Sequence, residues 1–333
     1  MYKVAILGLG QISYKIDEDP FRSLIWTHAN TFIKHKKTKL VAVSDPDKNQ
    51  IKSFLQFYNG AKTYTDNKKL LKQNNIDILS ICTPTHTHFE IVKGVVKNNK
   101  PKAIFIEKPM GNNLSEAKNI SEICKQNNII LAVNYMRRWD NSFTYVKDVI
   151  DTKKFGTIQS ITAYGATAML TSTSHHIDLM IYFGGEIEWL VGDIQTDYIR
   201  NVSGAPDPGG VALLKFKNGY FGFLKSTSKN DENYMLEIDI IFDDGRISIK
   251  EPLISNDLSE VRTWLFSPRK NTTVKQNTLV EYDGEKSYQP NERMLDAISD
   301  IIFCLENGCV PKSSGENSIL VHNVIQSILE SST

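Results

Sequence analysis

The sequence predicts an α/β protein of two domains. A doubly wound parallel sheet spans residues 1–135, and an α+β domain with an open, largely antiparallel sheet spans 136–333. Three observations predict it. Through the first 135 residues, short apolar, β-branched runs alternate with amphipathic stretches, the pattern of repeated βαβ units. Past about Asp151 the runs lengthen, alternate in polarity and are punctuated by Asn218-Gly219 and Asp244-Gly245, which are hairpin signals. A chain of 333 residues, at about 150 per domain, suits two cores.

The first run, Tyr2 to Leu7, ends in Gly8-Leu9-Gly10. Lys39 to Ser44 follows, closed by Asp45. Asp77 to Cys82, Ala103 to Ile106 and Ile129 to Val133 repeat the theme. Each is short and apolar, as parallel strands covered on both faces must be. Between them, Phe89 to Val96 and Leu114 to Asn127 carry apolar stripes; in the second, Leu114, Ala117, Ile120 and Ile123 recur at helical spacing. Later, Thr157 to Ala163, Gly210 to Phe216, Tyr220 to Ser226 and Tyr234 to Phe242 read as strands. Asn291 to Glu306 and Glu316 to Leu329 read as closing helices, free to pack back on the first domain.

Composition narrows the function classes. With 41% hydrophobic and 23% charged residues, the chain is neither disordered, collagenous nor a disulfide scaffold. Lys and Arg total 39 against 38 Asp and Glu, a net charge of +1, which argues against a nucleic-acid or anionic-membrane partner. No apolar run reaches the roughly 18 residues of a membrane helix. The opening MYKVAILGLG lacks the basic segment and cleavage site of a signal peptide. Cys82, Cys124, Cys304 and Cys309 form no CxxC pair and sit in apolar runs, as reduced cysteines of a cytoplasmic protein would.

Gly8-Leu9-Gly10-Gln11-Ile12-Ser13 reads GxGxxS after a strand. The first glycine allows a tight turn, the second lets backbone approach a pyrophosphate, and Ser13 is small enough for close packing of the helix expected next. Asp45 ends the next strand, where a carboxylate can accept both ribose hydroxyls of NAD. It would repel the 2′-phosphate of NADP, and no Arg follows closely, so NAD is favoured over NADP. Asp45 lies 35 residues after Gly10 rather than the usual interval of about 20. The excess, Lys15 to His28, is an insertion: either a flap at the cofactor mouth or a surface elaboration. Glu107-Lys108-Pro109 ends another strand, at the sheet edge where ligands sit. Desolvation and a neighbouring nicotinamide cation would lower the Lys108 pKa toward general acid/base use.

Together these residues resemble the Gfo/Idh/MocA oxidoreductase family over nearly the whole chain. The glycine turn, His28-Ala29, Val43-Ser44-Asp45, Thr83-Pro84 with His88, Glu107-Lys108-Pro109, Asn134-Tyr135 with Arg137 and the His175 segment occur in family order. The resemblance implies a Rossmann domain followed by a substrate and dimerisation domain. It implies hydride transfer between NAD(H) and a secondary alcohol or ketone of a sugar, nucleotide sugar or cyclitol. It places Thr83, Pro84, His88, Glu107 and Asn134 along the cofactor and Lys108 at the reacting hydroxyl.

His175 matches the family's catalytic histidine, because Ile177-Asp178-Leu179 follows it. The Asp expected four residues earlier is Thr171, which can orient an imidazole but brings no charge, so His175 should be a weaker base. Asp178 shares a helix face with His175 and could position substrate. Arg137 matches a position facing the substrate cleft, where a guanidinium could clamp a carboxylate or phosphate; Arg138 could equally be a surface residue capping the next helix. Tyr164 either stacks on a sugar ring or sits in the core. His86 and His88 are too few for a metal site. A free sheet face in the second domain implies a homodimer or homotetramer. Two rival readings stay open: a redox-neutral NAD-dependent glycosidase or lyase, and a non-catalytic NAD-binding sensor.

Overall fold

The computed structural model describes residues 1–20, 22–73, 75–98, 100–166, 168–202, 205–227, 229–230, 235–251, 260–268, 276–282 and 291–332. It divides into two compact units: Met1–Trp139 with Asn291–His322, and Asp140–Pro290 with Asn323–Thr333.

The first unit is built on six parallel strands: β1 (Tyr2–Leu7), β2 (Thr38–Ser44), β3 (Lys62–Tyr64), β4 (Ile78–Ile81), β5 (Ala103–Ile106) and β6 (Ile130–Val133). Their order is β3-β2-β1-β4-β5-β6. Val4 to Leu7 and Ala103 to Ile106 are fully buried on both faces, which is why these strands read as unbroken apolar runs. Burying each large side chain of this kind contributes about 1.5–3 kcal/mol. The crossovers carry α1 (His28–Lys34), α2 (Lys48–Phe57), α3 (Asn67–Gln73), α4 (His88–Asn98) and α5 (Leu114–Gln126). Strand order reverses between β1 and β4, so the ligand crevice of a doubly wound sheet opens beyond their carboxyl ends.

One expectation needs correcting. The glycine turn is not followed directly by an α-helix. Gln11–Lys15 forms a single wide turn and Ile16–Glu18 a tight one, and the first α-helix starts only at His28. The inserted segment between is seated on its own unit. The Asp17 carboxylate accepts from the Trp26 N–H (2.8 Å), the Thr27 hydroxyl (2.5 Å) and the Asn30 amide (2.8 Å). The guanidinium carbons of Arg22 and Arg293 lie over the Trp26 ring, 4.2 Å and 4.1 Å from its centroid.

The second unit opens with α6 (Asn141–Asp151), β7 (Ile158–Gly165) and α7 (Ser174–Gly184). Then come β8 (Ile187–Val202), β9 (Ala205–Phe216), β10 (Phe221–Ser226), β11 (Leu236–Phe242), β12 (Gly245–Lys250), β13 (Glu260–Pro268) and β14 (Asn277–Glu281). The eight strands run β14-β13-β12-β11-β7-β10-β9-β8. Every neighbouring pair is antiparallel except β7 and β10. Ile161, Ala163, Leu224, Ile238 and Ile240 face a core that α7 covers with Ile177, Met180 and Ile181. Asn218-Gly219 and Asp244-Gly245 join antiparallel neighbours, as their turn chemistry requires. Helix α8 (Arg293–Asn307) packs in the first unit, and α9 (Gly315–Ser331) contributes residues to both. Among the described residues, no helix is long and apolar enough to cross a membrane.

Candidate active site

Because the first sheet is wholly parallel, its strands end along one edge. The Gly8 turn, Ser44-Asp45, Cys82-Thr83-Pro84, Glu107-Lys108 and Asn134 therefore lie along the same edge. Gly8 has φ +88°, and a Cβ there would stand 2.8 Å from the Cys82 carbonyl carbon and 2.9 Å from the Thr83 nitrogen. Both its dihedral and its closeness to the end of β4 exclude a side chain. A Cβ on Gly10 would meet nothing within 4 Å, so this stretch of backbone is open to approach. Ser13 is fully buried, as close packing at the third position demands.

Asp45 is held at both oxygens. Oδ2 accepts from the Leu9 N–H (2.8 Å) and Oδ1 from the Asp47 N–H (2.9 Å). The carboxylate is thereby tied to the glycine turn itself. Each oxygen retains a lone pair able to accept a hydroxyl.

Glu107, at the end of β5, is the hub of a buried cluster. Its Oε1 lies 2.8 Å from Nε2 of His28 and accepts from the Asn134 amide (2.7 Å). Its Oε2 accepts from the Lys108 N–H (3.3 Å). The other ring nitrogen of His28 lies 2.8 Å from the Ser80 hydroxyl, which is itself 3.4 Å from the Cys82 sulfur. Burial pushes the His28 imidazole down, but Cys82 and Glu107 beside it outweigh that and raise it to about 10. Burial likewise pushes Glu107 up, and the bond and charge of His28 overcome it, leaving the carboxyl below its ordinary range. The pair is thus a buried ion pair, held by hydrogen bonds from the Lys108 N–H and the Asn134 amide. The peptide bond from Lys108 to Pro109 is cis. The Asn134 Oδ1 is buried with no protein partner, a polar atom suited to a ligand amide.

Thr83 and Pro84 form the wall at the end of β4, and His88 fixes it. The His88 Nε2 lies 2.9 Å from the Thr83 carbonyl oxygen and Nδ1 lies 3.2 Å from that of Met110. Burial holds this imidazole below its ordinary value, against the opposing pull of the two carbonyls. His86 is exposed and His88 buried, so the two rings do not share one environment. Arg137 is buried in the tight turn Met136–Trp139. Arg138 is buried too, donating to the Lys312 carbonyl (3.3 Å), so it is not a surface cap. Among the described residues, no group of three or more His, Cys, Asp or Glu could hold a metal ion.

In the second unit, Thr171 sits in a wide turn, Met169–Thr173, that leads into α7. His175 and the buried Asp178 lie in the first turns of that helix. Tyr164 does not join them. It alternates with the buried Ala163 and Gly165 on β7, and a Cβ on Gly165 would stand 3.1 Å from the His176 ring, so Tyr164 points to the other face of the sheet. Sequence reasoning missed Asp207 on β9. Its Oδ1 accepts from the Leu170 N–H (2.9 Å), and its Oδ2 from the Thr171 N–H (3.0 Å) and hydroxyl (2.9 Å). It missed the role of His28 as well. Only its place in the His28-Ala29 pair hinted at one.

The glycine turn, Asp45 and Asn134 together can hold a dinucleotide, and comparison with known proteins agrees. Residues 2–135 match the Gfo/Idh/MocA family, an oxidoreductase family with an NAD-binding Rossmann fold. Over 261 residues the chain is 24% identical to a myo-inositol 2-dehydrogenase of Thermotoga maritima, covering 74% of each protein. Over 155 residues it is 32% identical to the scyllo-inositol 2-dehydrogenase (NAD(+)) of Bacillus subtilis, covering 46% of this chain and 41% of that one. The solved WlbA dehydrogenase of Bordetella pertussis, in complex with NADH and UDP-GlcNAcA, shares the fold at TM-score 0.74 and 18% identity, over 99% of this chain and 96% of that one. The match to the Gfo/Idh/MocA oxidoreductase family thus rests on the first 135 residues of the chain.

Proposed function

We propose that the protein is an NAD-dependent dehydrogenase that oxidises a secondary alcohol of a cyclitol or related sugar, or reduces the ketone. The observation that carries this reading is the sheet edge, where Lys108 follows a carboxylate locked by His28 and Asn134, beside the turn that carries Asp45. The inositol dehydrogenases among the relatives support the cyclitol class.

Asp45 accepts the ribose hydroxyls, and its charge opposes a 2′-phosphate, which favours NAD over NADP. Asn134 Oδ1 accepts from the cofactor's amide. The chemistry supplied by the nicotinamide is acceptance or return of a hydride at the carbinol carbon. Lys108 Nζ takes the hydroxyl proton in oxidation and returns it in reduction. Glu107 holds the backbone from which Lys108 projects, and so sets where its ammonium reaches. Within the second unit His175 is proposed as a proton-handling group and Asp178 as a substrate-positioning one; within the first, Arg137 is proposed to position substrate. The exposed apolar row on the second sheet, described below, is the face through which copies of the chain associate.

The test is absorbance at 340 nm with NAD+ and a panel of cyclitols, free sugars and nucleotide sugars. A cyclitol turns over, and Lys108→Met lowers kcat at least about 100-fold while NAD+ binding stays within about twofold. Unchanged turnover in Lys108→Met would sink the reading. NAD+ binding with no turnover on the panel would move the redox-neutral and sensor readings ahead.

A further inference from the structure

The sequence shows the four cysteines as separate residues of apolar runs, since none forms a CxxC pair. Folding brings two of them together. Cys304 lies in the last turn of α8. Gly308 ends that helix in the left-handed region (φ +68°), its N–H on the Cys304 carbonyl at 2.8 Å. A side chain is strained at that φ, so glycine suits the reversal. The chain turns back over the helix end, and Cys309 meets Cys304 with the two sulfurs 2.6 Å apart. A disulfide holds its sulfurs at about 2.05 Å, so a small approach joins the pair.

Their surroundings differ. Cys304 is buried; burial, the bond from Cys309 and the neighbouring Asp300 carboxylate push its thiol up to about 12. Alone it is a poor nucleophile, but contact with Cys309 gives it a high effective concentration there. Cys309 is partly exposed and lines an open cleft of about 280 Å³ with Cys124, Lys125, Val310 and Glu316. A small reagent therefore meets Cys309 first, with Cys304 behind it. Just beyond Cys309 the chain becomes a strap on the first sheet. The Lys312 N–H donates to the Asp300 carboxylate of α8 (2.8 Å), the Ser313 hydroxyl donates to the Val133 carbonyl (2.7 Å), and the Val133 N–H returns to the Ser313 carbonyl (2.9 Å).

We propose that Cys304 and Cys309 form a reversible dithiol–disulfide site, open to small disulfides through the cleft, whose oxidation clips the strap to the end of α8. Cys309 gives its proton to water and attacks one sulfur of a low-molecular-weight disulfide. A mixed disulfide forms on Cys309, and the thiolate that leaves takes up a proton. Cys304 then loses its proton, attacks the Cys309 sulfur and expels the second half as a thiol. The two protein thiols lose two electrons, and the small disulfide is reduced to two thiols. The site stands apart from the proposed dehydrogenase chemistry and does not depend on it.

The test uses the full chain, purified reduced and equilibrated with glutathione mixtures from fully reduced to fully oxidised. Free thiols are alkylated and the peptides mapped by mass. The expected product is a Cys304–Cys309 disulfide, lighter by two hydrogens and reopened by dithiothreitol. Cys304→Ser should stop at one glutathione carried on Cys309, and Cys309→Ser should leave Cys304 reduced. In the oxidised chain the Lys312 amide should exchange with deuterium at least about threefold more slowly. Cys309 no more oxidised than the buried Cys82 across the series overturns the proposal. So does a glutathione that persists on Cys309 of the wild type, or a bond from Cys309 to Cys124. Unchanged Lys312 exchange in a fully oxidised chain overturns the clip. If either serine variant does not fold, the wild-type peptide map decides.

Discussion

Asp45 uses both oxygens on backbone amides, so its place beside the glycine turn is fixed before any ligand arrives. Replacing it with serine removes the charge that opposes a 2′-phosphate. Asp45→Ser should raise the ratio of NADP+ to NAD+ efficiency at least about tenfold, measured as kcat/KM for each. The His28–Glu107 pair makes a second residue-scale prediction. His28 is raised from 6.5 to about 10, so its contribution is complete below pH 6.5 and fades as pH climbs through about 10. Glu107 is depressed below 4.5, so its contribution is present above pH 4.5 and fades as pH falls through its lowered value. Breaking the pair leaves an uncompensated buried charge. Glu107→Gln should cost about 3 kcal/mol, roughly 10 °C in melting temperature. Urea titrations should find the gap from wild type widest between pH 4.5 and 6.5, narrowing at both ends.

Helix α5 shows how an element is bounded by a few atoms. Asn113 Oδ1 accepts from the Glu116 N–H (2.9 Å), and the Glu116 carboxylate returns to the Asn112 N–H (3.0 Å), a reciprocal cap. Asn113→Ala should cost about 1 kcal/mol in a urea unfolding curve, while Asn113→Asp should cost almost nothing. Elements whose signals are local in this way were legible in the sequence. β1 and β5 run over the residues expected, because both are apolar runs stopped by Gly8 and by Glu107-Lys108-Pro109. β3 was not legible, since Lys62-Thr63-Tyr64 is a short, half-exposed edge with no apolar run. β8 was missed because Asp193, Asp197 and Arg200 interrupt its alternation, and its pairing with β9 shifts register. The glycine turn was read as leading into a helix, where one wide turn is built. At the site, residues carried by compact motifs were named in advance. The role of His28 and the whole of Asp207 were not, because their partners lie 79 and 36 residues away in the chain and only folding brings them together.

At the scale of the whole molecule, the second sheet leaves a row of large apolar side chains in water. Val191, Leu213 and Phe223 lie opposite one another across β8, β9 and β10, with Trp189 and Phe221 beside them, ring centroids 6.1 Å apart. It is the face through which the association proposed above between copies of the chain would run. Phe223→Glu should shift the mass seen by light scattering toward the monomer without lowering NAD+ affinity. A mass unchanged from wild type would place the contact elsewhere. The first sheet has its own dependence on distant chain. The edge strand β6 is closed by residues from far downstream: Val133 N–H donates to the Ser313 carbonyl (2.9 Å), and Ala132 bridges to Ser314. Trp139 reaches Asp300 at 2.9 Å. The second sheet likewise waits for Ser332, whose hydroxyl accepts from the Ile194 N–H at 2.9 Å. On the ribosome, then, neither half is finished until residues 291–332 have emerged. The half that carries the glycine turn is begun first, yet it must hold an unpaired strand edge through the synthesis of the other, and a chain that stalls early leaves both halves incomplete at once.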